Sequence, residues 1–116
     1  MAAPWPKDAP EDFPEHVRVG RRNVRVKYVD PDDPAMKDDG HLLGCAEYHK
    51  DLITISLGQT VGCMRNTVLH EYVHLSYAHH GIGGSDPDHD EEERLVCWVT
   101  DIILELAESG WLKTNF

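Results

Sequence analysis

The sequence lacks the cysteine pattern of a disulfide-stabilised protein. Its three cysteines, Cys45, Cys63 and Cys97, are widely spaced in 116 residues and form no CxxC pair. An odd, sparse set argues against a disulfide framework and is typical of a reducing compartment. Each cysteine is therefore expected to be a small buried hydrophobic residue rather than a ligand.

The sequence also lacks long apolar runs. No window approaches the roughly 20 apolar residues that a membrane-spanning helix requires. The N-terminal stretch MAAPWPKDAPEDFPEH contains no apolar segment of the kind found in a signal peptide. Together with the sparse cysteines, these absences predict a cytoplasmic protein that has no membrane partner.

Positive charge is scarce. The chain has 11 Lys and Arg residues against 21 Asp and Glu residues, which gives a net charge of −10. Binding to nucleic acid needs clustered basic residues for phosphate contacts, so a nucleic-acid partner is not expected. The acidic blocks DPDD and DPDHDEEE are predicted to be largely solvated loops.

The length corresponds to one domain with one modest core. Residues 1–15 contain four prolines, which lack a backbone donor and interrupt regular structure. This segment is predicted to be an extended, partly mobile arm, and residues 16–116 are predicted to be the single folded domain.

Hydrophobic periodicity predicts an α+β fold. RNVRVKYVD alternates apolar and basic side chains, as a strand with one exposed face does. Residues 42–48 and 52–57 are predicted to form an antiparallel hairpin with a half-buried face. The apolar spacing then becomes helical and predicts helices over 61–79 and about 90–109. Glycines follow both helices and are expected to end them.

The first helix carries the motif HExxH at His70, Glu71 and His74. Positions i and i+4 lie on the same helical face, so both imidazoles can bind one Zn²⁺ ion. Glu71 is then placed to hold a zinc-bound water and accept its proton. We therefore predict a zinc site with His70 and His74 as ligands and Glu71 as the catalytic residue.

A hydrolytic zinc site takes a third protein ligand and keeps a fourth position for water. The candidates are Glu92, Glu93, His80 and His89. At 100° per residue, Glu92 lies within about 20° of the apolar face of the second helix, whereas Glu93 lies roughly 120° away. A core-facing carboxylate needs a partner, so Glu92 is the predicted third ligand and the other three remain open. His80 would match the long motif HExxHxxGxxH, but Tyr77 replaces its glycine.

These motifs resemble those of gluzincins, which carry HExxH on one helix and a glutamate ligand on the next. More narrowly, ITIS followed by TVLHEYVH resembles ImmA/IrrE-type and phage-encoded zinc metallopeptidases, in a match covering about residues 42–106. The register of that resemblance also selects Glu92. It implies a minimal zincin-like fold, with a small antiparallel sheet packed on the active-site helix. It also implies that LITISLG forms the cleft edge where a peptide substrate pairs.

The predicted function is zinc-dependent hydrolysis of a peptide or protein substrate. A non-catalytic zinc-stabilised interaction module and a phage or prophage regulatory protein are the alternatives. The side chains eligible to stabilise an oxyanion are Tyr77, His79, His80 and His89. The sequence does not specify the substrate, the oligomeric state or a need for an activator.

Overall fold

The computed structural model describes residues 8–36, 42–81 and 89–111. Within them, four strands form one sheet beside two helices. The strands are β1 (His16–Val19), β2 (Arg22–Val29), β3 (Gly44–Glu47) and β4 (Leu52–Ser56), and the helices are α1 (Val61–His79) and α2 (His89–Glu108). Short 3₁₀ turns span Pro34–Met36 and Tyr48–Lys50. The predicted α+β class is confirmed.

The sheet is mixed rather than purely antiparallel. Its strand order is β1-β2-β4-β3, with antiparallel pairs at both ends and a parallel β2–β4 pair in the middle. The predicted hairpin of β3 and β4 is present. Its second strand, β4, pairs with β2 in parallel, so the hairpin joins the rest of the sheet through a parallel pair. Which strand a hairpin pairs with depends on contacts between segments distant in sequence, and hydrophobic periodicity does not encode these contacts.

Burial differs between the two interior strands of the sheet. In β2, Val24 and Val26 are buried while Arg25 and Lys27 are exposed, as the alternation predicts. In β4, Thr54 and Ser56 are also buried, so the prediction of a half-buried strand is wrong there. Because both strands have a neighbour on each side, position in the sheet does not by itself account for the burial of β4.

The core lies between the sheet and α1. Its buried members are Phe13, Val19, Val24, Val26, Ile53, Ile55, Met64 and Leu75. Phe13 belongs to the segment predicted to be an arm, and nearby the Tyr28 hydroxyl donates to the Pro14 carbonyl at 2.7 Å. The core therefore extends into residues 8–15, whereas residues 1–7 lie outside the described chain.

The two helices match their predicted positions. α1 begins after Thr60, whose side chain accepts a hydrogen bond from the Cys63 backbone, and Gly81 follows its end with a φ of 65°. α2 packs mainly on α1 rather than on the sheet, and Gly110 follows it with a φ of 79°. Across the described ranges, neither helix is long and apolar enough to cross a lipid bilayer.

Candidate metal centre

The two histidines of the HExxH motif converge on one point. One turn of α1 separates them, and their Nε2 atoms lie 3.2 Å apart. Two imidazole nitrogens bound to one tetrahedral zinc ion at 2.0–2.1 Å would be roughly 3.3 Å apart. The separation therefore fits a shared zinc ion without rearrangement of α1.

The third donor at this point is Glu93. Its Oε1 lies 2.8 Å from His70 Nε2, and its Oε2 lies 3.1 Å from His74 Nε2. The carboxylate thus faces both ligating nitrogens from the start of α2. Two neutral imidazoles and one carboxylate are a donor set suited to Zn²⁺, so the residues present fit the metal that the motif implies.

Glu92, the predicted third ligand, occupies a different position. Its Oε2 lies 2.9 Å from His74 Nδ1, on the opposite side of the ring from the Nε2 atom that faces Glu93. Metal-binding histidines usually donate their second ring N–H to a carboxylate, which orients the ring and raises its basicity. The geometry therefore differs from the prediction, because it favours Glu93 as the ligand and Glu92 as the residue that orients His74.

The helical phase of α2 correctly predicts that Glu92 faces inward. The Glu92 side chain is 22% exposed and that of Glu93 is 53% exposed. However, the more exposed carboxylate of Glu93 faces the Nε2 atoms of both histidines, while the more buried carboxylate of Glu92 contacts Nδ1 of His74.

Glu71 lies in a buried position beside this centre, with only 9% of its surface exposed. Its pKa is raised from 4.5 to about 7, chiefly by burial, while His74 opposes the increase and the Glu93 carboxylate adds to it. Burial has this effect because an ionised carboxylate loses hydration inside the protein. A carboxyl group with a pKa near neutrality can both accept and return a proton at physiological pH.

A cleft opens between β3 and the N-terminal half of α1. It has a volume of about 450 Å³ and is lined by Leu42, Leu43, Gly44, Cys63, Asn66, Thr67, His70 and Glu71. Gly44 permits the close approach of α1 to β3. A Cβ atom there would lie 2.6 Å from Thr67 Cγ2 and 3.1 Å from Glu71 Cγ. The glycine therefore allows the wall of the cleft to lie directly against the Glu71 side chain.

The edge of this cleft is β3 and not β4. The expectation that LITISLG would form the edge is wrong, because β4 pairs with β2 on one side and with β3 on the other. Within the described ranges, β3 is one of the two outer strands of the sheet, and β1 is the other. The strand at the edge of the cleft, β3, and the strand that precedes α1, β4, are therefore different strands.

Two further histidines of α1 lie away from the centre. His80 is the C-cap of α1, where its Nδ1 lies 2.8 Å from the Ser76 carbonyl. His79 packs against Tyr48, with 3.4 Å between its Nδ1 and the Tyr48 hydroxyl. Both side chains are therefore engaged at the C-terminal end of α1, one turn or more beyond the HExxH motif.

The remaining candidates for oxyanion stabilisation are His89 and Tyr77. His89 is the first residue of α2, and its side chain lies outside the described part of the structure. Tyr77 is half-buried one turn after His74 on α1. The identity of the oxyanion donor stays a prediction.

Cys97 is a donor near the centre that the sequence pattern did not predict. In residues 8–36, 42–81 and 89–111, two groups bring potential metal-binding atoms within 4.8 Å of one another. One comprises His70, Glu71 and His74, and the other comprises His70, Glu93 and Cys97. The prediction that each cysteine is buried is wrong for Cys63 and Cys97, which are exposed. The spacing of four between Glu93 and Cys97 was the available signal, since such residues share a helical face.

Comparison of the chain with protein-family models, with curated proteins and with solved structures found no match in any of the three.

The different positions of the two glutamates predict different losses of metal affinity. Glu93→Ala should weaken zinc binding more than about 100-fold because it removes a ligand, whereas Glu92→Ala should weaken it by about 10–100-fold, as loss of an outer partner does. Glu105→Ala removes one charge from α2 far along the helix and is the matched control. Titration against a chromogenic chelator ranks the three variants. A larger loss for Glu92→Ala than for Glu93→Ala would contradict the assignment.

The raised pKa of Glu71 predicts how the stability of the metal-free protein changes with pH. The unfolded carboxyl group ionises near its ordinary pKa of 4.5, while the folded group stays protonated up to about pH 7. The contribution of Glu71 to folding stability is therefore complete below the unfolded-state pKa of 4.5. It is lost as pH rises through the folded-state pKa of about 7. Between about pH 5 and pH 8, wild type should lose more unfolding free energy than Glu71→Gln, by up to a few kcal/mol. Urea denaturation of wild type and Glu71→Gln, both treated with a chelator, measures this difference. Parallel plots of unfolding free energy against pH for the two proteins would refute the prediction.

Proposed function

We propose that the protein is a zinc-dependent peptide hydrolase with a minimal zincin-like site. Its ligands are His70, His74 and Glu93, and its general base is Glu71. The observation that carries the proposal is the convergence of two Nε2 atoms 3.2 Å apart on one carboxylate, beside a buried glutamate that lines a cleft. A purely structural metal site would have no use for that glutamate.

A bound zinc ion would supply Lewis acidity, polarising a substrate carbonyl and lowering the pKa of a coordinated water. The protein residues do the rest of the work. Glu71 accepts a proton from the attacking water and passes it to the departing amine. Glu92 holds His74 in the tautomer that leaves Nε2 free to bind, because its carboxylate accepts a hydrogen bond from the Nδ1–H group.

The edge of β3 supports a peptide as the substrate. The Ser56 N–H donates to the Leu43 carbonyl at 2.9 Å. Hydrogen-bonded and non-hydrogen-bonded pairs alternate along an antiparallel ladder. The backbone N–H and C=O of Cys45, two residues after Leu43, therefore point toward β4, while those of Gly44 and Ala46 face the open side. An extended peptide can add to such an edge by backbone pairing. Its carbonyl groups would then pass next to the HExxH residues that line the same cleft.

A non-catalytic, zinc-stabilised interaction module is the second candidate. The observation in its favour is that the His–Glu cluster joins the start of α2 to the middle of α1. Metal binding there contributes to the docking of α2 in either case. Hydrolysis that depends on Glu71 separates the two functions. The cytoplasmic location and the phage or prophage role remain predictions from the sequence.

Glu71→Gln should retain zinc and fold but lose hydrolysis. The amide is nearly isosteric with the acid and cannot accept a proton from water. The activity is measured by incubating zinc-loaded protein with a library of unstructured peptides and identifying products by mass spectrometry. Glu105→Gln, which changes an exposed carboxylate of α2, is the control for loss of charge. Equal product formation by wild type and Glu71→Gln would exclude the mechanism. No products from zinc-loaded wild type, nor from the zinc-loaded variant Cys97→Ser, would favour the interaction module.

Ala46→Pro should raise the KM for peptides with little change in zinc affinity. Proline removes a backbone N–H that faces the open edge, and edge positions tolerate proline better than interior ones. Ala46→Val keeps the N–H and is the control for added bulk. The measurement is a comparison of KM for one product-yielding peptide of the library. An unchanged KM for Ala46→Pro would exclude pairing at this edge.

A further inference from the structure

Cys97 lies beside the candidate ligands at the metal centre. It is one turn after Glu93 on α2, and its Sγ is 3.9 Å from Glu93 Oε1. Ligand atoms of Cys97, Glu93 and His70 all lie within 4.8 Å of one another. This cysteine is thus a further donor beside the three proposed zinc ligands.

The separations are close to those of a coordinated thiolate. Zinc–sulfur and zinc–nitrogen bonds of about 2.3 and 2.0 Å place the two donors about 3.5 Å apart in tetrahedral geometry. The Cys97 sulfur lies within 4.8 Å of the His70 nitrogen, which is at most about 1.3 Å more than this value. Because Cys97 is exposed, rotation about its Cα–Cβ bond can move the sulfur through such a distance without displacing the core.

We propose that Cys97 is a displaceable fourth ligand that keeps the site latent, an inference that rests on the proposed zinc function. The Cys97 thiol gives its proton to solvent, and its sulfur forms a bond to the metal as a coordinated water leaves. The position that a hydrolytic site keeps for water is then filled. Displacement of the sulfur by another donor reverses the exchange and restores the open position.

A permanent structural site also fills all four positions with protein ligands, and the position of Cys97 distinguishes this arrangement from one. Here Cys97 approaches from the exposed side of α2, whereas the buried Glu71 and the cleft along β3 belong to the side of α1 that faces the sheet. Cys97 is thus separate from the residues that serve the proposed hydrolysis. It can leave the metal without unfolding either helix.

Cobalt substitution tests the proposal by spectroscopy, without need of a substrate. Tetrahedral Co²⁺ gives intense visible d–d bands, and a thiolate ligand adds a near-ultraviolet charge-transfer band. Wild type should show both features. Cys97→Ser should keep the visible bands and lose the charge-transfer band, whereas Cys63→Ser, which changes an exposed cysteine of α1, should keep both. Acetohydroxamate, which binds the metal through oxygen, should remove the charge-transfer band from wild type.

Each outcome has a distinct meaning. Visible bands without a charge-transfer band in wild type would overturn the role of Cys97 and leave the metal site standing. A charge-transfer band that persists in Cys97→Ser would do the same. Absence of all bands from wild type would overturn the metal site and the proposed function together. A band that resists acetohydroxamate would identify a fixed ligand and refute displacement.

Alkylation of the unmutated protein gives an independent measurement. Iodoacetamide should modify Cys97 at least about tenfold more slowly in the zinc-loaded protein than in the chelated protein, because a metal-bound sulfur is a poorer nucleophile than a free thiolate. The rate at Cys63 should be unchanged, since it lies two turns before His70 on α1 and outside the cluster. Peptide mass spectrometry reads both sites in one sample. Equal rates at Cys97 with and without zinc would overturn the proposal.

Discussion

The functional architecture depends on the contact between the first turn of α2 and two histidines of α1. Glu92 and Glu93 engage the same imidazole from its two nitrogens, and Glu93 also reaches His70. Because α2 packs mainly on α1, this contact sets the position of its N-terminal end. A cation between the imidazoles and Glu93 would offset the repulsion among the closely spaced carboxylates, so metal binding and docking of α2 are expected to be coupled.

The sheet contributes to the site through β3, one of its two outer strands. The parallel β2–β4 pair places β3 at the edge, and the absence of a side chain at Gly44 lets α1 lie close against it. A cleft results in which an open backbone edge, His70 and Glu71 are neighbours. The same close packing buries Glu71 and raises its pKa to about 7. Ionisation of Glu71 near neutral pH therefore reduces folding stability at the position where the proposed hydrolysis needs a proton acceptor.

The centre has more potential donors than a hydrolytic zinc site requires. Glu93 and Cys97 share one face of α2, and both approach His70. The Glu93 carboxylate faces two imidazole nitrogens at once, whereas the Cys97 thiol is exposed. The thiol is therefore the donor that can be exchanged without disturbing the packing of α1 and α2. The proposed hydrolysis and the proposed latency are therefore compatible within one small site.

The chemistry-bearing residues of α1 were determined by the sequence itself. The spacing of His70 and His74 places them on one face of any α-helix, and the apolar periodicity predicted the observed bounds of α1 and those of α2 to within about a residue. The alternation in β2 likewise followed from local pattern. These features depend on residues near one another in the chain, so the sequence is sufficient to predict them.

Only the tertiary structure decided which carboxylate faces the Nε2 atoms of both histidines. Periodicity identified the inward face of α2 correctly and hence Glu92, but the position of the imidazoles depends on how two helices cross. The same holds for β3 as the cleft edge, for the burial of Thr54 and Ser56, and for the approach of Cys97 to His70. Each is a relation between segments distant in sequence, and it is set by packing of the whole domain rather than by local conformational preference.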